Sequence, residues 1–183
     1  MSELDEAWTL GIAEAEARAR AAGRADIAEY LALRSSNDLV RKISSDWLLD
    51  LFAAAAGEAN RNGAAVQISR EERYVFKVGN ASMIGTRISL GRGVRVLLIE
   101  VGWPRTPRDG FIRGGGLACA NIKHLGIKPA NEELRLTVDD TGKPRWIVAD
   151  KHGANAEPRE FHEANVGQHV SLLLDDARPP SHG

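Results

Sequence analysis

The amino-acid sequence predicts an α+β protein, with N-terminal helices packed on a mainly antiparallel β-sheet of about five to seven strands. Two patterns support this fold class. Up to residue 63 the apolar residues recur every three or four positions, as on one face of a helix. Beyond residue 63 they alternate, as in half-buried strands, and short turn signals separate the runs. Short turns join antiparallel neighbours, so the sheet is expected to be antiparallel.

The helical front starts with a four-residue apolar step at Leu4, Trp8 and Ile12. Gly23 is expected to end or interrupt this first helix, because glycine tolerates the left-handed conformation that follows many helices. Asp26 is then expected to restart a helix, and residues 35–37 (Ser-Ser-Asn) are a start signal for another one.

The sheet is predicted from alternating or apolar runs at residues 66–68, 74–78, 84–90, 94–101, 134–138, 145–149 and 170–174. Gly91-Arg92-Gly93 and residues 139–144 fit hairpin loops between adjacent runs. The run 94–101 is apolar on both faces toward its end. It is therefore expected to be a central strand that is covered on both sides.

Charge is sorted along the chain. Residues 1–63 carry seven Lys and Arg against eleven Asp and Glu, residues 64–128 carry eleven against four, and residues 129–183 carry six against ten. The formal net charge of −1 therefore conceals a basic middle between two acidic flanks. Such asymmetry predicts an anionic partner, or acidic segments that fold over a basic surface.

The organisation is predicted as a helical segment (1–63), a β-rich main body (64–176) and a flexible tail (177–183), in one compact domain. The acidic N-terminus lacks the regions of a secretory signal, and no apolar run approaches the roughly 20 residues that span a bilayer. The single cysteine cannot form an internal disulfide. We therefore expect a cytoplasmic protein without a membrane partner.

The segment after the central strand combines stiffness with positive charge. Residues 102–116 contain two prolines, three arginines and one acidic residue. The apolar spacing of residues 117–125 predicts a short helix within 102–126, with Gly126 as its C-cap. The alternative is a strand, because Leu117, Cys119 and Asn121 also alternate.

The predicted ligand-binding residues all belong to this loop: Trp103, Arg105, Arg108, Arg113, Gly114, Gly115 and Gly116. If the helix forms, its free N–H groups and its dipole favour an anion at the glycines. The arginines would add forked contacts, and Trp103 could stack on a base or a sugar. The alternative is a structural loop, in which glycines make tight turns, the arginines pair with the acidic flanks and Trp103 is buried.

Other ionisable residues have weaker claims. Glu100 interrupts an apolar strand and is expected to pair with an arginine, or less favourably to act as a general base. His152, His162 and His169 match no zinc signature, so neither a metal site nor a cofactor is predicted. His124 is expected at a helix end, next to the negative pole of the dipole.

Several further residues are predicted to be structural. Cys119, among small apolar neighbours, is expected to be a buried thiol. Asp140-Thr141-Gly142 is interpreted as a hairpin turn, since no second copy exists to supply the paired carboxylate of an aspartic protease. Trp8, Trp47 and Trp146 lie on apolar faces and are expected in the core.

These observations leave three function classes. The favoured one is a binding module that holds a nucleic acid or a phosphorylated small molecule through the loop. The alternative is a protein-interaction or regulatory protein that forms a homodimer or docks a protein partner through residues 3–62. An enzyme acting on an anionic substrate would need Glu100, His124 and an arginine in one pocket, and no catalytic residue is assigned.

Overall fold

The computed structural model describes residues 3–149 and 158–175. Within these ranges it contains the helices α1 (Glu3–Ala21), α2 (Ala25–Arg61) and α3 (Glu163–Leu174). The strands are β1 (Gln67–Val78), β2 (Ala81–Arg92), β3 (Arg95–Trp103), β4 (Ala118–His124), β5 (Glu132–Val138) and β6 (Pro144–Val148). The predicted α+β class and its antiparallel sheet are confirmed.

The six strands form one antiparallel sheet in sequence order, from β1 to β6. β3 lies inside the sheet, hydrogen-bonded to β2 on one side and β4 on the other, as predicted for the run 94–101. Gly93 and Val94 turn the chain between β2 and β3. Asp139 organises the turn between β5 and β6, since its Oδ1 accepts hydrogen bonds from the backbone N–H groups of Thr141 and Lys143.

The C-terminal part of α2 and helix α3 cover one face of the sheet. The side chains buried beneath them alternate along the inner strands, as a half-buried sheet requires: Leu97, Ile99, Ala120, Ile122, Leu134 and Leu136. The ring of Phe52 on α2 lies 6.4 Å from the ring of Phe161, which directly precedes α3. The indole N–H of Trp146 donates to the carbonyl oxygen of Ser44 over 3.1 Å, which fixes α2 to β6.

The chain forms two compact units, Met1–Ile43 and Ser44–Gly183. The first contains α1 and the beginning of α2, which are joined at Gly23, a residue with a φ of 72°. The guanidinium of Arg34 lies 5.1 Å from the centre of the Trp8 ring inside this unit. The segment boundaries predicted from composition stay a prediction, and the tail 177–183 lies outside the described residues.

Helix α2 is continuous, so the predicted restart at residues 35–37 is wrong. The chain contains neither glycine nor proline between Gly23 and Gly57. Serine and asparagine favour helix starts but cost little inside a helix whose neighbours are helix formers. None of the helices in the described part of the chain has the length and apolarity needed to cross a bilayer.

Two strand predictions are also wrong. The runs 66–68 and 74–78 belong to one strand, β1, in which the pairing shifts between Glu72 and Tyr74. Arg73 has a φ of 57° there, which identifies a bulge that hides the continuous strand from a simple alternation pattern. The run 170–174 is part of α3, because the buried positions Val166, Val170 and Leu173 follow a helical period.

The three tryptophans predicted in the core differ in burial. Trp146 is 2% exposed and lies in the core, whereas Trp8 and Trp47 are 54% and 45% exposed. A helical apolar stripe indicates which residues share a face but not whether anything covers that face. The core prediction is therefore right for Trp146 and wrong for the two tryptophans on the helices.

Candidate functional site

Three connections lie at the same end of the sheet. They are the β1–β2 turn, the long β3–β4 connection and the β5–β6 turn, because alternate connections of an antiparallel meander share one end. We define the loop end as residues 77–82, 103–118 and 135–145. These segments carry seven Lys and Arg against three Asp, so the loop end is net positive.

Trp103 and Arg105 contact each other at the start of the β3–β4 connection. The guanidinium carbon of Arg105 lies 4.0 Å from the centre of the Trp103 ring, a cation–π geometry. Arg105 Nε also donates to the carbonyl oxygen of Ile84 over 3.4 Å. Trp103 is half-buried, so part of the ring is already covered by an arginine of the same chain.

Asp109 is the single acidic residue of this connection, and the backbone uses its carboxylate. Its Oδ2 accepts hydrogen bonds from the N–H of Thr106 at 2.8 Å and from the N–H of Arg105 at 3.2 Å. These backbone donors, first that of Thr106, lower the pKa of Asp109. The carboxylate caps the short 3₁₀ turn Pro107–Asp109.

Arg108 and Arg113 project from the connection as exposed side chains. Within residues 3–149 and 158–175, neither guanidinium forms an ion pair with a carboxylate. Phe111 lies between them in sequence and is 81% exposed. Exposed cations and exposed aromatic rings are the kinds of side chain that contact phosphates and stacked bases.

Gly114 and Gly116 of the connection pack against Arg135, which is not among the predicted site residues. Gly114, Gly115 and Gly116 all have positive φ, at 76°, 79° and 116°. A Cβ atom at Gly116 would lie 2.7 Å from Arg135 Cγ, and Arg135 Nη1 donates to the carbonyl oxygen of Arg113 over 2.9 Å. The glycine run therefore has a structural cause, since it lets the backbone pass over the Arg135 side chain.

The predicted helix at 117–125 is wrong, because residues 118–124 form strand β4. The strand pairs with β3 and β5, and all but one of its side chains are buried. Burial on both faces makes the apolar spacing resemble a helix, whereas the alternation of Leu117, Cys119 and Asn121 was the correct signal. No helix dipole therefore acts at the glycines.

Glu100 is buried on β3 and is held by two residues of β4. Lys123 Nζ donates to Glu100 Oε2 over 2.7 Å, and Asn121 Nδ2 donates to the same oxygen over 3.2 Å. Glu100 is paired with Asn121 in the sheet, so His124, three residues further along β4, lies on the opposite face. The three-residue enzyme site that needs Glu100 and His124 together is thus not formed, and the partner of Glu100 is a lysine rather than an arginine.

His124 is part of a buried chain of hydrogen bonds rather than a helix end. Its Nε2 lies 2.9 Å from His169 Nδ1, and His169 Nε2 lies 3.3 Å from Glu132 Oε2. Burial, together with His169 and Arg95, lowers the pKa of His124 to about 4. The hydrogen bond from His169, followed by that from Arg159, lowers the pKa of Glu132.

The remaining candidates are three histidines and Cys119. In the part of the chain that the structure describes, no group of three or more His, Cys, Asp or Glu side chains could hold a metal ion. His162 is an exposed N-cap of α3, and His152 lies outside the described residues. Cys119 is buried as predicted, and desolvation raises the pKa of its thiol to about 12.

No protein-family model, no curated protein and no solved structure matches this chain.

Proposed function

We propose that this chain is a binding module for an anionic ligand, and that the ligand is a single-stranded nucleic acid bound at the loop end. The observation that carries this proposal is the pair of exposed arginines, Arg108 and Arg113, which form no ion pair among the described residues. Guanidinium groups with no internal carboxylate are available to bind phosphate in a forked geometry.

Phe111 favours a nucleic acid over a small phosphorylated molecule. The ring is 81% exposed and stands between two arginines in sequence, so one base could stack on it while phosphates contact the guanidinium groups. Free phosphate or a sugar phosphate has no base for the ring. We further propose a cytoplasmic address, which suits a nucleic-acid ligand and a single cysteine.

The proposal is tested by fluorescence anisotropy with a labelled single-stranded oligonucleotide, titrated between about 50 mM and 200 mM salt. Phosphate contacts dominate such binding, so we expect the affinity to fall steeply with salt. Arg113→Ala should weaken binding, whereas Arg87→Ala, which removes the same charge from a side chain paired with Glu71, should not. Absence of salt-dependent binding to any oligonucleotide would contradict the proposal.

A competition experiment separates the two ligand classes. A mononucleotide that displaces the oligonucleotide completely at similar concentration would indicate a site for a small phosphorylated molecule. A nucleic-acid site instead requires affinity to rise with oligonucleotide length until the loop end is covered.

A further inference from the structure

Two buried histidines, which we define as the histidine pair, join α3 to the sheet. His124 on β4 is 4% exposed and His169 on α3 is 8% exposed, and their stacked rings lie 5.2 Å apart between centres. The rings of Phe52 on α2 and of Phe161 each lie 6.1 Å from the ring of His169. The histidine pair therefore lies in an apolar environment, in which a charge is costly.

The hydrogen bond between the two rings requires that one of the facing nitrogens carries no proton. His124 Nε2 and His169 Nδ1 lie 2.9 Å apart. When His169 is protonated, its Nδ1–H donates to the bare Nε2 of His124, while its Nε2–H faces Glu132 Oε2 at 3.3 Å. A second proton, on His124, leaves two N–H groups facing each other and places two like charges in contact. The histidine pair can therefore hold one proton but not two.

Charged side chains reach the histidine pair from three places: Arg95 from β3, Glu132 from β5 and Arg159 from the segment before α3. The negative charge of Glu132 is shared with Arg159, whose Nη2 donates to Glu132 Oε1 over 2.5 Å. Arg95 adds positive charge beside His124, and α2 contributes only the uncharged ring of Phe52 to the ring contacts of His169. These neighbours can balance one imidazolium but repel a second one.

Helix α3 is the element that moves if the histidine pair separates. β4 is hydrogen-bonded to β3 on one side and to β5 on the other, which fixes His124 inside the sheet. α3 is not part of the sheet and follows its last strand, so its departure leaves all strand pairings intact. Separation of the rings also admits water, which stabilises both imidazolium charges. Local opening of a single helix is a form of sub-global unfolding.

We infer that α3 opens away from the sheet at acidic pH, when a second proton enters the histidine pair. The buried side chains Val166, Val170 and Leu173 favour the closed position, so the open state is a minor one whose population rises with acidity. This inference uses no residue of the loop end and is independent of the proposed nucleic-acid binding.

The size of the effect follows from the proton affinity of His124. In the closed state the pKa of His124 is lowered from 6.5 to about 4, and opening returns the ring to water. Because the open state then binds the proton more tightly, the equilibrium constant for opening should rise about twentyfold between pH 7 and pH 5.

Hydrogen exchange of the wild-type chain measures this opening. Exchange rates at pH 7 and pH 5, divided by the intrinsic rates at the same pH, give an opening constant for each amide. The constant for the α3 amides of residues 168–173 should rise about twentyfold between the two pH values. At pH 5 it should exceed the constant for the β4 amides at least about tenfold, because the β4 amides open only with the sheet. Equal constants for α3 and β4, or an α3 constant that is the same at both pH values, would overturn the inference.

Two histidine variants assign the pH dependence. His124→Gln removes the second proton site, and the rise in the α3 opening constant between pH 7 and pH 5 should disappear. His162→Gln makes the same substitution at the exposed N-cap of α3 and should keep the rise. Protection of the β4 amides shows that each variant is folded, and the wild-type comparison decides without them. A twentyfold rise that persists in His124→Gln, or one that is lost in His162→Gln alone, would overturn the inference.

Discussion

Arginines on the strands and arginines in the loop end differ in what their guanidinium groups contact. Arg87 on β2 lies 2.6 Å from Glu71 and 4.1 Å from the centre of the Tyr74 ring, so its charge is satisfied inside the chain. Arg108 and Arg113 in the loop end are exposed and form no ion pair among the described residues. The difference teaches that a count of basic residues overstates the charge available to a ligand.

Arg70 on β1 resembles Arg87. Its Nε lies 2.6 Å from a carboxylate oxygen of Glu72. The basic middle of the sequence is thus partly neutralised by glutamates of its own strands and, at Arg70, by Asp46 and Asp50 of α2. Among the described residues of the loop end, Arg108 and Arg113 remain exposed and without an ion pair.

The largest expected effect is the difference in the free energy of unfolding that is lost when a buried ion pair or an exposed ion pair is broken. Lys123→Met leaves the Glu100 carboxylate buried with only Asn121 as a partner, and should lower the free energy of unfolding by about 3 kcal/mol. Arg87→Ala removes a surface pair and should cost less than about 1 kcal/mol. Urea denaturation measures both variants.

A double variant controls for the lost lysine side chain. Glu100→Gln combined with Lys123→Met removes both charges and should recover most of the stability that Lys123→Met loses. If Lys123→Met lowers the free energy of unfolding no more than Arg87→Ala does, the buried Glu100 carboxylate does not depend on Lys123 as its partner.

The second largest effect tests whether Gly116 is needed for packing, by comparison with Gly115. Gly116→Ala combines an unfavourable φ with a Cβ contact at 2.7 Å to Arg135, and should lower the free energy of unfolding by about 2 to 3 kcal/mol. At Gly115 a Cβ atom meets nothing within 4 Å, so Gly115→Ala should cost only the backbone strain, about 1 kcal/mol. Equal losses for the two variants would show that Arg135 does not pack against Gly116.

The third effect concerns pH. The pKa of His124 falls from 6.5 to about 4 in the folded chain. Between these values the unfolded state binds the proton more readily than the folded state, so stability is lost as the pH falls. Between pH 7 and pH 5 this loss should be about 2 kcal/mol.

Comparison with His124→Gln isolates this contribution. Urea denaturation at pH 7 and at pH 5 gives, for each protein, the free energy of unfolding that is lost between the two pH values. This loss should be about 2 kcal/mol smaller in His124→Gln than in the wild-type chain. A pH dependence that is the same in both proteins would mean that His124 is not buried as a neutral ring.

The fold was predictable where the sequence pattern reports local geometry. The β5–β6 hairpin follows from residues 139–144, and the internal position of β3 follows from an apolar run on both faces. β4 was predicted as a helix because burial on both faces erases the alternation that identifies a strand. The bulge at Arg73 likewise interrupted β1, since a single residue with positive φ shifts the alternation by one position.

The location of the binding site stays a prediction, whereas the internal contacts of the β3–β4 connection could not be predicted from the sequence. Composition identified the Arg- and Gly-rich connection, and the exposure of Arg108 and Arg113 agrees with a ligand surface without testing it. Arg135 is distant in sequence, and only the sheet pairing of Cys119 with Arg135 brings it beside the connection. Phe111 had a usable signal, an aromatic residue between two arginines, which was not included among the predicted site residues.

The most direct test of the central claim compares two double variants that remove the same charge. Anisotropy with a single-stranded oligonucleotide should show that Arg108→Ala with Arg113→Ala lowers affinity about tenfold or more, with a salt slope smaller by about 1.4. Arg70→Ala with Arg87→Ala should change neither quantity, because both guanidinium groups are paired within the chain. Equal losses of affinity in the two double variants would contradict the account, since net charge alone would then explain binding.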